Sequence, residues 1–182
     1  GLTSTADTTR AAAWRGFAGA AGYFVVTLHW IVEPFFVDPV RHGWMAPFAL
    51  ILFAGGMALF WSLAGWVSHR LCAQPLWRVA LLVPILTLAE AARGTILTGF
   101  PWAMPGHALI GTPWMALGAY AGGIGLTLLV LGAAAGFAAM ALRGRLVLVG
   151  AAILALASVP YVLPERPEPP ASAVGPTVRL IQ

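Results

Sequence analysis

The sequence predicts an all-α polytopic membrane helix bundle with five transmembrane helices. Three observations carry that prediction. The 182 residues are 60% hydrophobic and only 9% charged, against about 25% charged in an ordinary soluble domain. The apolar residues fall in long runs, and about 20 residues make one bilayer crossing. The connections between the runs differ in arginine content in an alternating way, the pattern expected when a chain passes back and forth through a membrane.

The first predicted span covers residues 14–32, with Trp14 at its start and no acid, Arg or Lys from Gly16 to Val32. The second, 45–68, is uncharged. The third, 76–97, carries Arg78 near its start and Glu90 and Arg93 near its end. The fourth, 114–142, is uncharged and long enough to tilt. The fifth covers 146–163. Runs of this length read as helices rather than strands. A bilayer also requires the backbone to satisfy its own hydrogen bonds, which helices do. In the fourth span Gly118/Gly122 and Gly132/Gly136 stand four apart, a spacing that lets helices approach closely.

All ten basic residues are Arg. Arg10, Arg15, Arg70, Arg78, Arg143 and Arg145 flank alternate connections and so share one side. The positive-inside rule puts that side in the cytoplasm, with loops 33–44 and 98–113 and the C-terminal tail facing outward.

Residues 1–163 therefore form the expected membrane domain. Residues 164–176, PERPEPPASAVGP, read as an extended Pro-rich linker. Residues 177–182, TVRLIQ, read as the first strand of a further domain. The chain is expected to be a fragment of a longer protein.

Several functions are disfavoured. No basic tract points to nucleic acid. The single cysteine, Cys72, permits no internal disulfide. His29, His42, His69 and His107 have no metal-ligand spacing. No phosphate-cradling glycine loop or serine elbow is present, and no cofactor is expected.

Two features stand out. Glu90 and Arg93 are three apart, on one helix face, and can pair. Each costs about 2.5–3.5 kcal/mol at a bilayer centre and less near its edge. They read either as a structural ion pair or as the polar floor of an outward-facing cavity. The loop 97–114, LTGFPWAMPGHALIGTPW, holds three prolines, three glycines and two tryptophans. It reads either as an aromatic-belt connection between helices or as a lipid-facing rim admitting a hydrophobic substrate.

The stretch LAEAARGTILTGFPWAMPGH resembles the signature region of the apolipoprotein N-acyltransferases of the bacterial inner membrane. Glu90, Arg93, Gly94, Leu97, Thr98, Gly99, Phe100, Pro101, Trp102 and Gly106 match that pattern, and His107 stands where the family usually has Tyr. The run from Gly22, GYFVVTLHWIVEPFFVDPVRHGWMAPFAL, is similar to the family's preceding helices. TVRLIQ is similar to the first strand of its nitrilase-like domain.

The resemblance implies a helical membrane domain leading into an α/β nitrilase-like periplasmic domain absent from this chain. It implies acyl transfer from a phospholipid to a cysteine thioester, then to the α-amino group of a diacylglyceryl-modified apolipoprotein. The family's catalytic Cys, Glu and Lys have no counterpart in residues 1–182, and Cys72 lies outside any matching motif. The expected share of this chain is positioning and lipid access, with Glu90, Arg93, Thr98, Gly99, Phe100, Pro101, Trp102, Gly106 and His107 as the candidate residues. Membrane lipid is an expected partner, and a monomer is expected. Two other readings stay open: a transporter or channel subunit gated by Glu90/Arg93, and the membrane anchor of a polyprenol-linked glycosyltransferase.

Overall fold

The computed structural model describes residues 6, 8–96 and 98–145, together with 148 and 151. Helix α1 (Thr9–Thr27) opens on Thr8, whose hydroxyl accepts from the Ala11 amide at 3.1 Å. This satisfies one of the donors that every helix N-terminus leaves orphaned. Beyond Leu28 the chain tightens into a 3-10 helix, His29–Phe36, with Pro34 inside it. A single turn follows, α2 (Pro39–His42), capped by the Asp38 carboxylate on the Arg41 amide. A 3-10 turn, Gly43–Met45, then leads into the long α3 (Ala46–Leu71). Helix α4 (Pro75–Arg93) starts on a proline, whose missing N–H costs nothing there. Two short 3-10 helices, Pro105–Leu109 and Pro113–Leu117, precede α5 (Gly118–Leu142). No strand occurs among the described residues.

Three stretches are long and apolar enough to cross a bilayer: Pro39–Leu71, Pro75–Arg93 and Pro113–Ala141. The all-α class holds, but the described residues supply three of the five expected spans. Helix α1 is not among the three, because Arg10, Arg15 and its glycines dilute its hydropathy. It starts at Thr9 rather than 14, and its α-helical part stops at Thr27, where the expected span ran to 32. The expected fifth span at 146–163, the linker at 164–176 and the strand at 177–182 lie outside the described residues, apart from 148 and 151.

Successive long helices pack on one another, α1 on α3, α3 on α4 and α4 on α5. The α1–α3 contact is built from small side chains. Ala20 of α1 and Ala54 and Ala58 of α3 are buried in one cluster with Phe24 and Leu28. A Cβ on Gly16 would lie 2.8 Å from the Trp61 carbonyl oxygen, so this crossing requires glycine. The Ser62 hydroxyl donates to the Ala13 carbonyl at 3.0 Å. Small faces and an occasional hydroxyl are how helices associate where lipid removes the hydrophobic drive.

The glycines of α5 act differently from their spacing. Gly122 has φ 62°, ψ −173°, a conformation open essentially to glycine alone, and it kinks the start of the helix. Nothing among the described residues lies within 4 Å of a Cβ built on Gly132 or Gly136.

The bundle has two distinct ends. At one, the Ala6 carbonyl accepts from Arg78 Nη1 at 3.3 Å and lies 3.0 Å from His69 Nε2. Trp77 and Arg143 line one cleft nearby. At the other end, the connection after α1 meets the connection after α4, with the Trp30 and Trp102 rings edge to face at 6.3 Å.

Candidate functional site

The site is built around the last turn of α4. Glu90 and Arg93 are 0% and 1% exposed and form an ion pair. Arg93 Nη2 meets Glu90 Oε2 at 2.5 Å, and Arg93 Nε donates to Glu90 Oε1 at 3.2 Å. The Trp61 indole N–H on α3 donates to the same Oε1 at 2.7 Å. The other guanidinium nitrogen, Nη1, donates to two carbonyls of the following loop, Phe100 at 2.6 Å and Trp102 at 2.9 Å. Four of the five guanidinium donors are thereby used. The Arg93 head also sits over the Phe24 ring of α1, 5.2 Å from its centroid, a favourable place for a cation.

This arrangement explains how a buried pair is tolerated near a membrane. A charge is costly in low dielectric unless it is paired and its remaining hydrogen-bonding capacity is filled. Both conditions are met here by groups from three helices and one loop. The cation also lies at a helix C-terminus, where the backbone dipole favours it.

The loop is shaped to return to α4. The Phe100 amide donates to the Arg93 carbonyl at 3.0 Å, closing off the helix end. Gly99 (φ 73°) makes this turn, and a Cβ there would run into the Gly94 carbonyl. Phe100 then packs inward, edge to face on Phe53 at 4.7 Å. Ala103 has φ 56°, a left-handed conformation that costs a non-glycine residue about 1–2 kcal/mol. Its carbonyl accepts from the Tyr23 hydroxyl of α1 at 3.1 Å. Tyr23 in turn stacks on Trp61, with centroids 5.3 Å apart and planes 21° from parallel.

The far end of the loop is held by α5. The Gly106 amide donates to Thr127 Oγ1 at 3.2 Å, and a Cβ on Gly106 would sit 2.6 Å from the Thr127 backbone nitrogen. Only glycine allows that approach.

The expected site residues thus divide. Glu90, Arg93 and the backbone of Phe100 and Trp102 form one buried cluster. Gly99 and Gly106 are backbone requirements at its edges. Thr98, Pro101 and the Trp102 side chain face outward, Trp102 being 60% exposed. His107 is half-buried in the Pro105–Leu109 turn. Cys72 lies at the α3–α4 connection, at the opposite end of the bundle.

Sequence reasoning missed Trp61, Tyr23 and Thr127. The usable signal was their place: Trp61 and Tyr23 fall inside apolar runs rather than at the edges where interfacial rings settle, and Thr127 is the one Ser or Thr in the fourth run. Among the described residues no group of three His, Cys, Asp or Glu is placed to hold a metal.

The family model described as the apolipoprotein N-acyltransferase N-terminal domain matches residues 2–136. A protein of Caulobacter vibrioides named apolipoprotein N-acyltransferase is 38% identical over 180 residues, covering 95% of this chain and 33% of its own length. A Rhizobium etli protein of the same name is 33% identical over 178 residues, covering 92% of this chain and 33% of its own. One from Rhodopseudomonas palustris is 38% identical over 99 residues, covering 54% and 18%. The chain spans about a third of the length of the first two relatives. No solved structure gives a significant match.

Proposed function

The chain belongs to the apolipoprotein N-acyltransferase family, and on that premise we propose that it is the membrane part of an enzyme that N-acylates lipoproteins. In this reading a cysteine thiolate of a domain beyond residue 182 attacks a phospholipid ester. The acyl group forms a thioester and a lysophospholipid leaves. The free α-amino group of a diacylglyceryl-cysteine then attacks the thioester, forming the amide and releasing the thiol. Such chemistry needs an activated thiolate and an oxyanion site, and the resemblance assigns both to the nitrilase-like domain.

Both substrates are lipid-anchored, so the reacting atoms must meet at the membrane surface. The contribution of this chain is positioning. The loop 98–109 forms the lipid-facing rim on the outward side. Thr98, Pro101 and Trp102 supply its exposed edge, and Glu90, Arg93, Gly99, Phe100, Gly106 and His107 set its shape. The observation that carries the reading is a rim tied down from below with an aromatic edge left exposed: Arg93 holds the Phe100 and Trp102 carbonyls while the Trp102 ring stays outside. The enzyme would be a monomeric, multi-pass protein of the bacterial inner membrane, with the start of this chain cytoplasmic and its end periplasmic. A gating role for Glu90/Arg93 in a transporter draws less support, since both carboxylate oxygens are already engaged.

The test is Trp102→Ala in the full-length enzyme. Turnover with phospholipid in vesicles should fall by up to about a hundredfold, the size of effect a misplaced substrate-positioning group can produce. Thioester formation from a water-soluble acyl ester should stay near wild type. Equal losses with both donors would leave the loop merely structural.

A further inference from the structure

Three carbonyls of the rim, Phe100, Trp102 and Ala103, are held from beneath, and they are held by two different arms. One runs through charge: Arg93 donates to Phe100 and Trp102, and Glu90 orients Arg93. The other runs through a ring: the Tyr23 hydroxyl donates to Ala103. Both arms end on the same side chain. The Trp61 N–H fixes Glu90 Oε1, and the Trp61 ring face stacks on Tyr23. Phe24, which lies under the Arg93 guanidinium, also packs edge to face on Trp61 at 5.7 Å.

We propose that Trp61 is a positioning residue that sets the height and shape of the 98–104 loop through these two arms. The proposal rests on the rim reading above and deepens it. The physical reason lies in the hydrogen-bond inventory. Glu90 Oε1 accepts from both Trp61 and Arg93, so the indole fixes the carboxylate plane, and the carboxylate fixes the guanidinium plane. A planar guanidinium held at Nε and Nη2 has no freedom left in where Nη1 points. That direction is what selects the Phe100 and Trp102 carbonyls. The left-handed Ala103 gives the arms something to hold against. A strained residue persists only where its surroundings over-determine it, and Tyr23, kept in place by Trp61, is the partner that does so.

The far end of the loop supplies an internal reference. The Gly106 amide is bonded to Thr127 on α5, which neither arm touches. The Gly99 and Phe100 amides are bonded to the Ile96 and Arg93 carbonyls, next to the arms.

The experiment is residue-resolved amide hydrogen exchange on the full-length protein in lipid nanodiscs. Trp61→Phe keeps a ring against Tyr23 and removes the N–H. Exchange at Gly99 and Phe100 should quicken about tenfold, the scale of one lost hydrogen bond to a charged group, while Gly106 stays unchanged. Tyr23→Phe, which removes one hydroxyl and is the milder change, should quicken the same two amides, and by less. Unchanged exchange at Gly99 and Phe100 in both variants would overturn the proposal, and so would a uniform rise that includes Gly106. Acyl transfer is measured in parallel with vesicle phospholipid and with a water-soluble acyl ester. A loosened loop with a selective loss on vesicle phospholipid supports both levels. A loosened loop with unaltered turnover on both donors sinks the rim reading and leaves the positioning role of Trp61 intact.

Discussion

Glu90 illustrates how a single side chain can be held by several elements at once. Its carboxylate is fully buried, and it meets one cation and one indole. Glu90→Ala would leave the Arg93 charge buried without a counter-ion, and breaking a buried pair from one side costs about 3–5 kcal/mol. Thermal unfolding in detergent should show a correspondingly large loss. Glu90→Ala combined with Arg93→Met should recover part of it, because no naked charge remains. A double variant no more stable than Glu90→Ala alone would show that lost loop contacts, rather than an unpaired charge, set the cost. The i,i+3 spacing made the pair legible in the sequence. Its third member was not legible, because Trp61 is 29 residues away and only the α3–α4 contact brings it close.

At the scale of the element, the helices follow the sequence more closely than the connections do. Apolar runs became helices because lipid leaves the backbone no other partner. Their ends were set by local chemistry that composition does not weigh: the Thr8 cap on α1, Pro75 at the start of α4, the Arg93 turn at its end. Helix α5 shows the limit. Its glycines look like a packing face, yet Gly122 serves a kink and the close approach on this helix comes from Gly106 in the loop. Gly122→Ala should therefore destabilise the protein by about 1–3 kcal/mol, the cost of forcing a side chain into a glycine-only conformation. Gly132→Ala, with open space around it, should be neutral or stabilising by up to about 1 kcal/mol, the helix-propensity gain of Ala over Gly. The pair of variants compared by thermal unfolding decides between kink and packing face; equal losses would favour the packing face.

At the scale of the molecule, the arrangement puts two kinds of connection at opposite ends. Ala6, His69 and Arg78 gather at one, Trp30 and Trp102 at the other. The proposed topology, drawn from the arginine pattern, turns the first toward the cytoplasm. Cys72, the only cysteine, is a native probe of this. In spheroplasts a membrane-impermeant maleimide should label Cys72 only after permeabilisation. Thr98→Cys in a Cys72→Ser background should be labelled without it. The reverse pattern would overturn the proposed topology and place the rim on the wrong side for lipoprotein substrates.

Composition and local pattern suffice to say that the chain is helical and built for a membrane, that Glu90 and Arg93 share a face, and that the TGFPW stretch breaks helix beside them. These follow from composition, run length and the 3.6-residue period, all of them local properties. Helix packing is what closes off the acid and base, turns the loop carbonyls in toward Arg93 and the Trp102 ring out, and brings Trp61 and Tyr23 from other helices to complete the hold. The reason is that a buried charge must find every partner it needs, and in an apolar chain those partners are few. Which few come within 3 Å is settled by helix packing, through small faces such as Gly16 and Ala58 that let Trp61 reach the end of α4.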